Sequence, residues 1–308
     1  MITRVEELWT LAKAGGREFP LVLAGSENPP ALETVSVAQQ RGLIRAILVG
    51  DPEQTATAAQ AVGVDLKDFE FLAAADHAEA VDASLSLIRD GEAEILMKGQ
   101  VPTRTMLKGL LNRKYGLRTE RLLSHVSVFN VPGEQRVLII TDAGVNVTPD
   151  VTKKRDIVLN AVELAHILGN PRPKVAMLSF VEEATDRQVR LTADADGVAG
   201  MYRHGEITGC VVEGPYSLDV ALSKEAAELK GVTGEVAGQA DILVMHDIGM
   251  GNVLYKALLL WCNPTIAGVI MGSRVPINVC SRADSMNTKL NSVALAVMAA
   301  RHSPVPAP

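Results

Sequence analysis

Aromatic residues are scarce, at 4% of 308 positions with only two tryptophans. A core without large rings has to be filled by Ala, Val, Leu and Ile, and hydrophobic residues do make up 47% of the chain. That is the make-up of stacked helices and parallel sheets and argues against a β-sandwich. Cysteines are few as well: Cys210, Cys262 and Cys280 show neither a disulfide framework nor paired metal-ligand spacing. The six histidines, at 77, 125, 166, 204, 246 and 302, pair with no second histidine or cysteine at ligand spacing, which argues against a catalytic metal. Excess positive charge is missing too. The formal net charge is -6, so the basic face that a nucleic acid requires is not supplied. No apolar run is long enough to cross a bilayer, and the first ten residues are amphipathic and carry acids, unlike a signal peptide. A Walker loop and a Gly-x-Ser-x-Gly elbow are also absent. The expectation is a cytoplasmic α/β protein without metal, membrane or nucleic-acid partner, long enough for two lobes.

What is present is an alternation of patterns. Residues 4–14, 31–41, 52–62 and 78–89 carry apolar residues at helical spacing, with short buried strands at 20–24, 43–50, 69–73 and 93–97. Repeated βα units with right-handed crossovers lay out a mostly parallel sheet covered on both faces. From Arg121 the pattern changes. Strands at 122–129 and 135–141 flank Pro132-Gly133, a turn that favours an antiparallel hairpin. Helices at 151–168, 182–194, 217–228 and 253–261 then alternate with strands at 175–180, 207–213, 241–246 and 267–271. The last segment is a buried strand at 275–280, a polar turn, and a helix with one buried face at Met286, Leu290, Val293 and Val297. Ser285 or Asp284 is its N-cap. These readings divide the chain into residues 1–141 plus 282–308, and residues 142–281.

Ligands in open α/β sheets bind beyond the carboxyl ends of strands. Four strand-end loops carry polar or small residues: 98–105 with Lys98 and Thr103, 142–146 with Asp142 and Asn146, 247–252 with Asn252, and 281–285. In the last, a hydroxyl (Ser281), a guanidinium (Arg282) and a helix N-terminus converge, which makes an anion site, and Arg282 can grip a phosphate in bidentate fashion. His246 ends a strand beside the glycine-bearing 247–252 loop. Such a set suits phosphate and a reacting acyl group, handled by position and electrostatics rather than by a covalent nucleophile.

Lys98-Gly99 with Thr103, Thr141-Asp142-Ala143-Gly144-Val145-Asn146, Gly214-Pro215 with Ser217-Leu218-Asp219, Gly251-Asn252-Val253-Leu254-Tyr255-Lys256-Ala257 and Ser281-Arg282-Ala283-Asp284-Ser285 together resemble the phosphate acetyl/butyryltransferase family. The likeness runs from about residue 92 to residue 300. It implies a two-lobed α/β fold like that of isocitrate and isopropylmalate dehydrogenases, with a cleft between lobes, and a homodimer. It also implies acyl-CoA plus phosphate giving acyl phosphate plus CoA, by direct attack without an acyl-enzyme. CoA would enter as substrate, with no tightly bound cofactor. Ser281 and Arg282 would handle phosphate and the acyl carbonyl, Lys98 and Thr103 would line the phosphate side, and Lys108 falls where acetyl-type members place an arginine. The acetyl-type aspartate, thought to act on the CoA thiol, is replaced by Thr288, so His246 or Asp247 is left as candidate base. Two competing readings are an inactive CoA-binding regulator or scaffold, and a metal- and NAD-dependent dehydrogenase on the same fold.

Overall fold

The computed structural model describes residues 1–180, 190–281 and 284–303. Two compact units emerge from packing: Glu6–Arg121 with Ala267–Pro308, and Met1–Val5 with Leu122–Ile266. The units thus break at Leu122 and Ala267, where the sequence reading sets Asp142 and Arg282.

The first unit opens with α1 (Glu7–Lys13), β1 (Phe19–Ala24), α2 (Pro29–Gln40), β2 (Ile44–Gly50), α3 (Pro52–Val62), β3 (Glu70–Ala73), α4 (His77–Arg89), β4 (Ile95–Lys98) and α5 (Thr103–Leu110). Local chemistry sets these bounds. α3 starts where the Asp51 carboxylate accepts from Gln54 N at 2.8 Å with Pro52 next to it, and stops at Gly63, whose φ of 69° suits a residue without Cβ. Asp76 caps α4 in the same way, accepting from Ala78 N and Glu79 N. β1 pairs in parallel with both β2 and β4, and β2 with β3.

The second unit holds β5 (Ser124–Asn130), β6 (Leu138–Thr141), α6 (Val151–Ile167), β7 (Lys174–Leu178), α7 (Arg190–Arg203), β8 (Val211–Tyr216), α8 (Leu218–Leu222), α9 (Lys224–Leu229), β9 (Ile242–Val244) and α10 (Ile248–Cys262). Its strand order is β5-β6-β9-β7-β8. β5 and β6 form the expected antiparallel hairpin, and the other pairs are parallel. The chain then returns to the first unit with β10 (Thr265–Met271), β11 (Ile277–Asn278) and α11 (Met286–His302), giving the order β3-β2-β1-β4-β11-β10 there. β11 runs parallel to β4 and antiparallel to β10. The fold is α/β with mostly parallel sheets.

Several expectations are corrected. The helix expected over 182–194 lies largely on residues 181–189, outside the described residues, and the described helix continues to Arg203. The strand expected at 207–213 starts only at Val211, because Gly209 takes φ 76° and ends any extended run before it. The helix at 217–228 is two, broken at Ser223, whose extended backbone lets its hydroxyl accept from Ala226 N. The 275–280 strand contracts to Ile277 and Asn278. α11 is buried on every side from Thr288 to Ala300 rather than on one face, since it packs against α1, α2 and the strands β4 and β11. Its N-cap is Ser285, whose Oγ accepts from Thr288 N at 3.1 Å.

The 247–252 segment is not a loop. Asp247 Oδ1 accepts from Met250 N at 2.9 Å and starts α10 five residues earlier than the sequence suggests. Gly251 permits that turn to pack closely, for a Cβ there would stand 2.5 Å from the Asp142 carbonyl oxygen.

Candidate active site

In the first unit, parallel pairing puts the carboxyl ends of β1 and β4 side by side, and the chain leaving them is locked by Gly99 N to Ala24 O (2.8 Å) and Gln100 N to Gly25 O (2.7 Å). Beyond these ends lies a cavity of about 300 Å³, lined by Asn28, Lys98, Gly99, Gln100, Ser281 and Lys289 among others. α2 begins at its edge. Yet the first two residues of α2 are Pro29 and Pro30, which have no N–H, and the next donor, Ala31 N, is taken by Asn28 Oδ1 at 2.9 Å. The helix therefore offers its dipole to this cavity but few backbone donors, and hydrogen bonding to an anion falls to side chains.

Two of those are lysines. Lys98 Nζ donates to the Gly99 carbonyl at 3.2 Å. Lys289, on α11 and only 8% exposed, donates to the Asp284 carbonyl. Ser281 is exposed, in a tight turn where Ser281 N donates to Asp284 Oδ2 (2.7 Å) and Asp284 N to Ser281 O (3.1 Å). Asn28 Nδ2 donates to Gln100 Oε1 across the mouth at 3.2 Å. Cys280, also on the wall, donates to Asn278 Oδ1, and burial together with Asp284 pushes its thiol up to about 12. A thiol held protonated in this way is a poor nucleophile.

The structure thus brings Lys98 and Ser281 into one cavity. Arg282 lies outside the described residues. Thr103 and Lys108 are exposed on α5 and do not line the cavity. Thr288, where acetyl-type members carry the aspartate, is buried and spends its hydroxyl on Ser285 Oγ at 3.0 Å. Lys289, Asn28 and Gln100 escaped the sequence reading. Lys289 alone left a trace, as the one lysine in a helix whose middle is apolar.

In the second unit, Asp142 is buried and its carboxylate accepts four hydrogen bonds, from the backbone N–H of Gly144, Val145 and Asn146 and from Asn146 Nδ2. Asn146 Nδ2 also donates to Leu123 O at 2.8 Å. Both side chains hold the loop after β6. Asn252 is exposed on the second turn of α10. His246, half-buried after β9, contacts Lys154 Nζ through Nδ1 at 3.0 Å, and Lys154 in turn donates to Asp194 Oδ2 at 2.7 Å. Burial first, and the Lys154 ammonium second, lower the pKa of His246 below its ordinary value. Lys154 and Asp194 went unnoticed in the sequence, where Lys154 is one of three consecutive basic residues. Among the described residues no three His, Cys, Asp or Glu side chains come together in a way that could hold a metal ion, and no helix is long and apolar enough to cross a membrane.

Residues 77–297 match the family model described as phosphate acetyl/butaryl transferase. The chain is 42% identical over 291 residues to the phosphate butyryltransferase of Clostridium acetobutylicum, covering 94% of this chain and 96% of that one. It is 41% identical over 261 residues to the phosphate acetyltransferase of Rhizobium meliloti, covering 85% and 82%. A crystal structure of a branched-chain phosphotransacylase from Enterococcus faecalis V583 superposes with a TM-score of 0.81 at 30% identity, covering 92% of this chain and 99% of that one. The chain belongs to the phosphate acetyl/butyryl transferase family, and so to the acyltransferases.

Proposed function

We propose that this chain catalyses reversible transfer of a short acyl group, acetyl or butyryl, between CoA and inorganic phosphate. The observation that carries this is the cavity beyond β1 and β4. Two ammonium groups, a serine hydroxyl and the positive end of a helix surround a space fit for a small oxyanion. Lys98 and Arg282 hold phosphate, Ser281 donates to the carbonyl oxygen of the acyl group, and Thr103 and Lys108, off the cavity wall, have no direct part in holding phosphate. A phosphate oxygen attacks that carbonyl, and the tetrahedral oxyanion collapses as the CoA sulfur leaves. The cations supply most of the rate by stabilising the charge that develops on oxygen. The protonated Cys280 thiol supports direct transfer without an acyl-enzyme. Asp142 and Asn146 shape the loop after β6, and Asn252 stands on the neighbouring helix. In the reverse direction the CoA thiol must lose a proton, and His246 and Asp247 are the candidates for it.

The test is a series from acetyl- to hexanoyl-CoA with phosphate, on wild type and Arg282→Ala. Acyl-CoA is expected to disappear only when phosphate is present, and the substitution is expected to lower turnover by about a hundredfold or more. Absence of phosphate-dependent turnover across the whole series overturns the reading.

The same reading includes a homodimer. On α10, Val253, Leu260 and Trp261 are 70%, 78% and 83% exposed, and beside them a groove of about 120 Å³ is lined by Leu218, Leu222, Leu254 and Leu258. Apolar patches of this kind mark interaction sites. Glu134 and Arg136 both edge the groove, and opposite charges on one patch suit self-pairing about a two-fold axis. Wild type is expected to sediment as a dimer and Trp261→Glu as a monomer; a monomeric wild type discards the dimer.

A further inference from the structure

We infer that Lys154 and Asp194 are positioning residues that hold His246 in one neutral form, its proton on Nε2, so that His246 serves acyl transfer as a hydrogen-bond donor to a substrate oxygen. It is then not the base for the CoA thiol. The inference rests on the reading above that His246 meets the substrate.

Lys153 and Lys154 are neighbours with opposite fates. Lys153 is half-exposed and pairs with Asp150, whereas Lys154 is turned inward and 1% exposed. A buried ammonium is tolerated only when it is paired and hydrogen-bonded. Lys154 meets this condition through two contacts, Asp194 Oδ2 on α7 at 2.7 Å and His246 Nδ1 at 3.0 Å. A carboxylate only accepts, so Lys154 donates to Asp194; burial lowers the Lys154 pKa below its ordinary value, and the Asp194 hydrogen bond and charge oppose that and favour the ammonium. An ammonium has donors and no acceptor, so it donates to Nδ1 as well. Nδ1 must therefore present its lone pair to Lys154, and a neutral imidazole carries its proton on the other nitrogen.

Of the remaining charged groups around the ring, Arg190 also disfavours a second proton, whereas Asp194 and Asp247 favour it but rank below burial and the Lys154 ammonium. Arg190 on α7 lies 3.5 Å from Asp194 Oδ2, and Asp247 follows His246 in the chain at the start of α10. Adding a second proton to the ring would aim an N–H at the Lys154 ammonium inside a half-buried site, and both burial and that ammonium oppose it. Nε2 has no hydrogen-bond partner among the described residues. A base needs a lone pair facing the substrate, and here that lone pair is committed to Lys154. What remains on Nε2 is an N–H, which can only donate: to the thioester or acyl-phosphate carbonyl as it becomes an oxyanion, or to a phosphate oxygen. Thiol deprotonation is left to Asp247.

The experiment uses the full chain. ¹⁵N spectra of histidine-labelled wild type are expected to show His246 protonated on Nε2 alone at neutral pH and into mild acid. In Lys154→Met the ring is expected to show both tautomers and to titrate at a higher pH than in wild type, since one of the two largest causes that lower its pKa is gone, with the acidic limb of the kcat profile moving the same way. His246→Gln places an amide N–H close to the position of Nε2 but cannot accept a proton, and it is expected to keep turnover within about tenfold of wild type. His246→Ala is expected to lose about a hundredfold. A wild-type spectrum with the proton on Nδ1 overturns the inference whatever the kinetics, as does a Gln variant as slow as the Ala variant. Normal turnover in His246→Ala with the expected spectrum overturns instead the placement of His246 at the substrate, and wild type without phosphate-dependent turnover overturns the proposed function itself.

Discussion

Lys98→Ala lowers turnover by about a hundredfold or more, and its KM for phosphate rises further than its KM for acyl-CoA. The size of the effect follows from what surrounds the cavity. The usual anion-binding device at a strand end is the N-terminus of the next helix, with two or three free backbone donors. Here Pro29 and Pro30 remove two of these and Asn28 occupies a third, leaving α2 to act mainly through its dipole. Lys289 has a backbone carbonyl to serve and is anchored in a buried helix, so its ammonium is restrained in reach. Lys98 sits at the very end of β4, half-buried on the cavity wall, where its ammonium donates to the Gly99 carbonyl at 3.2 Å. A unit charge about 4 Å from an oxyanion contributes about 4 kcal/mol at an effective dielectric of about 20. Part of that is lost to water in an open cavity, so a hundredfold, about 2.7 kcal/mol, is the conservative reading. Steady-state titration of phosphate at saturating acyl-CoA checks it, with Lys98→Arg as the variant that keeps the charge and recovers part of the loss. An unchanged phosphate KM in Lys98→Ala would move the phosphate site elsewhere.

Periodicity made most of the architecture legible. The βα repeat from β1 to β4 and the Pro132-Gly133 hairpin come directly from the spacing of apolar residues and from turn chemistry, because those signals are local. The errors fall where a single residue overrides a pattern. Gly209 delays β8, Ser223 splits one helix into α8 and α9, and Asp247 starts α10 inside what reads as a glycine-bearing loop. α11 shows a different limit. Its apolar stripe was visible, but burial on the remaining faces depends on neighbours far away in sequence, so Lys289 could not be seen to point inward. The site follows the same division. Lys98 and Ser281 lie at strand ends, a position that topology alone favours for ligands. Asn28 and Gln100 are separated by 72 residues and meet only through tertiary packing. Lys154 is the hardest case. Its neighbours Lys153 and Arg155 share its charge, and only helix phase combined with the position of Asp194 on α7 separates the buried cation from the exposed one.

Gly99→Ala is expected to be the most disruptive single-methyl change in the first unit. Gly99 follows Lys98 directly, and a Cβ built on it stands 2.0 Å from the Gly25 carbonyl oxygen and 3.0 Å from that of Ala24. Those obstacles are backbone, so no side-chain rotation relieves them. The opposing residue is also a glycine: Gly25 takes φ 80°, and a Cβ there would lie 2.8 Å from both Gln100 N and Val101 N. The ends of β1 and β4 therefore approach so closely that neither tolerates a side chain. Two hydrogen bonds depend on that approach, Gly99 N to Ala24 O and Gln100 N to Gly25 O. Inserting the methyl adds an overpacking cost of about 1–3 kcal/mol to about 1 kcal/mol for each bond weakened. A loss of about 3–5 kcal/mol is large against a usual total of about 5–15 kcal/mol. It also moves Lys98 and Gln100, which flank the methyl on the cavity wall, so turnover falls by more than the unfolded fraction explains. Gly200→Ala is the matched control. It lies within α7, its Cβ meets only Arg203 Nη2 at 3.6 Å, and alanine favours the helix by up to about 1 kcal/mol. Urea unfolding of both variants decides the matter: the two midpoints are expected to move in opposite directions, and a Gly99→Ala midpoint equal to that of wild type would mean that the two strand ends are not held this close.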